Sequence, residues 1–174
     1  MKKFMLNGDN MEDENTHEWM EKLMSEKKRK KMTAKGLLKR YANGERNFAN
    51  IIIRGGDLRD KNLEDADFRE SFFADVDFEG AHLEYTDFRN AFIIRSDFSR
   101  VYFRHANLSH ASFINSSLSN ADLSDAKLEG TYILDTDTSN IRGLETAEGH
   151  FDLARTRPNR IWSKQNMHKT VKNK

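Results

Sequence analysis

A large apolar residue returns every fifth position through the middle of this chain. In NLEDADFRESFFADVDFEGAHLEYTDFRN, residues 62–90, the series is Leu63, Phe68, Phe73, Phe78, Leu83 and Phe88. With each of these as the centre of a pentad, 18 centres follow one another without exception from Phe48 to Ile133. At the chain's 37% apolar content, chance would produce such a run in one chosen register with a probability of about 10⁻⁸. A period of five is neither the 2 of a strand nor the 3.6 of a helix.

A second column stands two residues before the centres. From Ala66 through Ser71, Val76, Ala81, Thr86 and on to Thr131, every member is small or β-branched. Two residues that share a face two positions apart require locally extended backbone. Extension cannot persist, because the next centre would then fall on the opposite face. The chain therefore turns after each pentad, and four turns return it above itself in a coil of about 20 residues, a length found among solenoids. Centres fill the inside of the coil, and the corners admit only small residues. Stacking at about 4.8 Å per coil lines up Phe48, Phe68 and Phe88, and likewise Phe78 with Phe98. That ladder supplies a core which 37% apolar and 33% charged residues would otherwise leave thin.

The pentads ADFRE, ANLSH, ADLSD and AKLEG resemble the pentapeptide repeat, A-(D/N)-L-x-x, of the cyanobacterial type. The resemblance implies an all-β fold, a right-handed quadrilateral parallel β-helix of about 4–5 coils with a short helical N-terminal cap. The first coil departs from the pattern, since Ile51, Gly56 and Lys61 occupy the small-residue column. Lys61 cannot lie unpaired inside an apolar coil, so its ammonium is expected outside, or the corner irregular.

Four segments follow: an N-terminal extension over 1–31, a helical cap over 32–45, the β-helix over 46–140, and a C-terminal cap with a basic tail over 141–174. Thr33 is a suitable N-cap and Gly44 a stop, and Leu37, Leu38 and Tyr41 share the face that covers the first coil. In the extension, THEWMEKLM offers Trp19, Met20, Leu23 and Met24 as one helical stripe. KKRKK, residues 27–31, reads either as a solvated linker or as a contact for nucleic acid or anionic lipid. At the far end the period fails, with Thr138 and Gly143 at centre positions. Ile141, Leu144, Phe151, Leu153, Ile161 and Trp162 are the candidates to cover the last coil.

The chain contains no Cys, so no disulfide or thiolate chemistry is available. No stretch reaches the about 20 apolar residues of a membrane span, and the N-terminus lacks the apolar core of a secretory signal. A cytoplasmic protein is expected. No Gly-rich phosphate loop is present. The histidines His82, His105 and His110 fall on outward columns without metal-ligand spacing. The regularly spaced carboxylates of a convex rod lack the cleft that acid–base chemistry needs. The expectation is no enzyme, no cofactor, no metal and no small-molecule substrate.

Two outward surfaces remain. Residues 45–140 carry 10 basic and 18 acidic side chains between two basic ends. Their Asp columns, Asp57, Asp67, Asp77, Asp87 and Asp97, either cap corner backbone or imitate the charge of a DNA backbone. The second possibility follows the resemblance, because gyrase-protecting members of the family imitate DNA, although Arg69 and Arg89 dilute the pattern. On another side Phe72, Phe92, Ile94, Ile114, Tyr132 and Leu134 point outward yet are apolar, a contiguity that calls for something docked there. The occupant is the chain's own N-terminal segment with Trp19 and Met20, a second copy in a homodimer, or another protein. Plain exposed surface is the remaining reading. The expected function is a non-enzymatic protein–protein interaction or scaffold module, with a DNA-mimicking regulator of an enzyme such as gyrase as the alternative. Direct nucleic-acid binding is not expected.

Overall fold

The computed structural model describes residues 29–149 and the backbone of 152–155. Strand β1 (Lys30–Lys31) leads into helix α1 (Ala34–Ala42). Six strands follow: β2 (Ile51–Asp57), β3 (Phe72–Asp77), β4 (Phe92–Ile94), β5 (Ser112–Ile114), β6 (Tyr132–Leu134) and β7 (Asp152–Arg155). They form one parallel sheet in chain order. Ile53 lies beside Phe73, Phe73 beside Ile93, Ile93 beside Phe113 and Phe113 beside Ile133. The other three sides are tied by single bridges with the same offset: Asn47–Asp67–Asp87–Asn107, Asn62–His82–Tyr102–Asp122 and Asp77–Asp97–Ser117–Asp137. The result is a four-sided parallel β-solenoid of about 5 turns.

The corners explain the period. Asn50, Asp60, Asp65, Glu70 and Asp75 all have φ between 54° and 59°, and the series continues every fifth residue to Asn140. A left-handed residue reverses the chain sharply, and Asn, Asp and Gly bear it at least cost. At many corners the carbonyl of the centre accepts the N–H of the next small residue, as from Ser71 to Phe68 at 3.1 Å and from Ala81 to Phe78 at 2.9 Å. This closes a four-residue turn with positive φ at its third position. Corners after β4, β5 and β6 are built differently. There Ser96, Ser116 and Thr136 donate their hydroxyls to Ile94, Ile114 and Leu134 carbonyls at 3.0, 2.9 and 3.0 Å. The same oxygens accept N–H groups from Val76, Ser96 and Ser116 at 3.2 Å each. These buried hydroxyls are thus paired; each such corner carries Ser or Thr, although Ser71, Thr86 and Thr131 stand at corners of the ordinary kind.

Inside the coil the centres are buried, together with the Ala and Val residues of the small column. Phe rings follow one another along the axis, stacked for Phe78–Phe98 with centroids 4.4 Å apart and tilted by 44° for Phe68–Phe88 at 5.0 Å. Neighbours around the coil meet edge to face, at 83° for Phe73–Phe78 and 89° for Phe88–Phe103. Both geometries suit the aromatic quadrupole.

The helix closes the first coil. Thr33 Oγ1 accepts the Gly36 N–H at 3.1 Å as its N-cap. Leu37 and Ala34 are buried in the core, with Leu38 and Tyr41 half-buried against it. The Tyr41 hydroxyl is within bonding distance of Asn62 Oδ1 at 2.9 Å and the Glu64 carbonyl at 3.0 Å. Gly56 departs from the small-residue pattern because the helix sits there. Its φ is +133°, and a Cβ at this position would lie 2.5 Å from Ala34 Cβ. Lys61 is exposed at its corner, which resolves the conflict its position posed.

At the other end the ladder does not stop at residue 140. Bridges join Asp122 to Arg142 and Lys127 to Glu148, the second with one extra residue in its coil. Gly143 takes a centre position without a side chain, and its backbone drops onto the coil above. A Cβ there would lie 2.3 Å from the Ser124 nitrogen. Ile141 packs half-buried against the core as expected of a cap residue, but Leu144 is 37% exposed. Leu144 lies in the turn that absorbs the extra residue, so it faces water instead of the last coil. Phe151, Ile161 and Trp162 lie outside the described residues, and of Leu153 only the backbone is described.

Two outcomes test this architecture. Phe88→Ala empties the middle of the ring ladder and should cost about 3–5 kcal/mol, read as a lowered midpoint in urea unfolding. Gly56→Val should speed amide hydrogen exchange across Ala34–Ala42, while amides of β3, β4 and β5 keep their protection.

Candidate docking surfaces

In each strand the centre points inward and its two neighbours point outward, as pleating requires. The six residues singled out by sequence do gather: Phe72, Ile94, Ile114 and Leu134 form one cluster with Ala74, flanked by Phe92, Tyr132 and Ile52. It is separate from the coil interior. It is not open surface, however. Phe72 is 4% exposed, Ile94 3% and Ile114 3%. The reading of this side as plain exposed surface is therefore corrected for Phe72, Ile94, Ile114 and Leu134, whose side chains leave the coil yet are buried, while Phe92 and Tyr132 stay half-buried at the margin.

The acidic columns take one of the two roles that the sequence allows them. Asp57, Asp67, Asp77, Asp87 and Asp97 each accept, through Oδ1, the N–H of the residue two positions on, at distances from 2.8 to 3.1 Å. This is the corner-capping role. Three of them also hold an arginine two residues on: Asp57–Arg59, Asp67–Arg69 and Asp87–Arg89, each at 2.6 Å. Arg59 reaches on to Asp77 at 3.6 Å and Arg69 to Asp87 at 3.7 Å. Asp97 is buried beneath the surface. The result is a ladder of alternating charge, not a stripe of one sign. Hydrogen bonds from the Arg59 guanidinium and N–H lower the Asp57 pKa from 3.8 to about 2. Burial opposes ionisation of Asp67, but bonds from Arg69 outweigh it and hold that carboxyl below its ordinary value.

The side opposite the apolar cluster carries an arrangement that the sequence reading missed. Tyr85 is 60% exposed and stacks on His105, with centroids 4.9 Å apart and planes at 18°. Beside it His82 stacks on Tyr102 at 4.7 Å and 14°. His82 Nδ1 lies 3.2 Å from Glu84 Oε1, and His105 Nδ1 lies 3.9 Å from Asp125. Arg104 is exposed between the two stacks in sequence. The signal in the sequence is the pairs 82/102 and 85/105, each 20 residues and so one coil apart.

The family model for pentapeptide repeats matches residues 62–100 and 96–132, with 8 copies. Residues 62–132 of this chain are pentapeptide repeats. Among solved structures it is similar to a pentapeptide repeat protein (Rfr23) from the cyanobacterium Cyanothece 51142, with 20% identity and a TM-score of 0.51 over 59% of this chain and 66% of that one. It is also similar to alr5209, a pentapeptide repeat protein from Nostoc PCC 7120, at 20% identity and TM-score 0.37, covering 70% of this chain and 100% of the other. A third similarity is to QnrB1, a plasmid-mediated fluoroquinolone resistance protein, at 12% identity and TM-score 0.33, over 62% and 77% of the two chains. No match was found among curated proteins.

Within these repeats His82 has acidic neighbours. Ligand atoms of Glu64, His82 and Glu84 lie within 4.8 Å of one another, as do those of Asp77, Glu79 and Asp97. Stacked coils bring equivalent residues together in this way wherever an acidic column forms. A shallow concavity nearby is lined by Asp57, Arg59, Asp60, Lys61, Glu79 and Arg100. Its walls are charged, unlike the mostly apolar lining of small-molecule sites. Among the described residues no helix is long and apolar enough to cross a membrane.

The charge ladder makes a direct prediction. In an NMR titration Asp57 should ionise near pH 2 and move back toward 3.8 in Arg59→Ala. Because the folded value is depressed, the associated stability is present above the unfolded pKa and is lost as pH falls through the folded one.

Proposed function

We propose that this protein is a non-catalytic interaction module whose docking surface is the paired aromatic corner: Tyr85 on His105 and His82 on Tyr102, with Arg104 beside them. The observation that carries this reading is Tyr85, a large aromatic side chain 60% exposed and held in place by a ring from the next coil. Aromatic residues and Arg dominate the energetic centres of protein interfaces. A ring already fixed by stacking loses little side-chain freedom on binding, so more of its contact energy appears as affinity. The solenoid adds to this, since its backbone is braced on all four sides and no ordering step precedes docking. The partner is another protein that offers apolar surface to the rings and carboxylates to Arg104; self-association through the same corner is the other form this takes. Nothing favours the DNA-mimic alternative over this reading, because Asp57, Asp67 and Asp87 are already occupied by arginines.

The test is site-specific cross-linking in living cells. A photoreactive phenylalanine at position 85 should trap one discrete protein, or a second copy of this chain. The same group at Ser119, on another side, should not. Arg104→Glu should weaken the adduct formed from position 85. Equal, diffuse labelling from both positions would end the proposal.

A further inference from the structure

The buried apolar side needs a cover, and several observations point to one occupant. Phe72, Ile94 and Ile114 point away from the coil interior, yet are 3–4% exposed. An outward ring on an uncovered parallel sheet keeps one face in water. Among the described elements, β3, β4 and β5 contact only their neighbours in the sheet.

The entry of the chain points to that occupant. β1 adds a strand to this same sheet, with Lys30 beside Ile51 and Lys31 beside Ile52. Just before it, Arg29 Nε donates to the Glu70 carbonyl at 2.8 Å, two residues from Phe72. Burial depresses the Arg29 guanidinium pKa, with Glu70 opposing, so a charged side chain is held in a partly desolvated place at the rim of the apolar cluster. Residue 28 thus leaves from the β2 end of the apolar side. From β2 to β6 the sheet spans four strand spacings, about 19 Å. Residues 16–28 as a helix would span about 20 Å. Within them Trp19, Met20, Leu23 and Met24 form one apolar stripe, while Glu18, Glu21, Lys22 and Glu26 fall elsewhere. The C-terminal chain leaves by β7 at the opposite end, and Pro158 interrupts any helix early in it.

We propose that residues 16–28 form an amphipathic helix that lies across β3, β4 and β5 and seats Trp19, Met20, Leu23 and Met24 on Phe72, Phe92, Ile94 and Ile114. The helix runs from the β6 end back to β1, which places Met24 over β3 and Met20 over β4. This assignment is independent of the aromatic corner, which lies on the opposite side of the coil.

The test uses the full chain with Trp162→Phe, so that Trp19 is the sole tryptophan. Trp19 should resist acrylamide several-fold better than in the same chain unfolded in urea, and adding Ile94→Asp should abolish that protection. Quenching equal to the unfolded chain would overturn the proposal, as would protection that Ile94→Asp leaves intact in a folded variant. Should Ile94→Asp unfold the protein, the pair Met20→Cys and Ile94→Cys in this cysteine-free chain decides instead. An oxidised cross-link within one molecule supports the assignment. A cross-link between two molecules shows a second copy on the face, and no cross-link shows a cover from elsewhere; either result overturns it.

Discussion

Everything in this molecule depends on backbone hydrogen bonds between residues twenty apart. Each coil offers its carbonyls and N–H groups to the coil above and below, so no coil can be longer or shorter than its neighbour without breaking several bonds at once. That condition dictates the rest. Equal coils need equal sides, equal sides need a corner at the same place each time, and the corner needs a residue that tolerates positive φ followed by one too small to collide. The side-chain pattern is a result of this backbone arithmetic. Where the arithmetic changes by a single residue, between Arg142 and Glu148, the pairing of β7 with β6 shifts register as well.

Most of the fold was legible because it is a period. Leu63, Phe68 and their successors announce the interior, Ala66 and Ser71 the crowded corners, and Thr33 the start of the covering helix. The exceptions in the first coil were legible only as conflicts. Gly56 looked like a flaw in the small-residue column until the helix was found resting on it. Leu144 was misjudged because an apolar residue near an exposed core is expected to cover it, and nothing in the sequence shows that an inserted residue turns it outward.

The surfaces were less legible, for a physical reason. Periodicity gives the direction of a side chain and says nothing of what stands over it. Phe72 and Ile94 were rightly placed outside the coil, and their burial required coordinates. For the Asp columns the sequence shows both the acids and the arginines that dilute them, but not that each guanidinium pairs with the carboxylate two residues before it. Acid and arginine stand on the same side of extended backbone. Tyr85 and His105 were hidden because they are ordinary surface residues singly and a fixed platform only as a stacked pair. The pentapeptide repeat accounts for the scaffold. What distinguishes this chain lies in the outward positions, where the repeat leaves residue type almost free.

The covered first coil carries a consequence for how the protein lives at high concentration. A parallel coil with bare backbone at its end is a template for a further coil, from this chain or any other, and growth of that kind has no natural limit. Here α1 is pressed onto the first coil through the close contact of Gly56 with Ala34. One glycine, by letting a helix rest where a strand could add, turns a growing surface into a finished one.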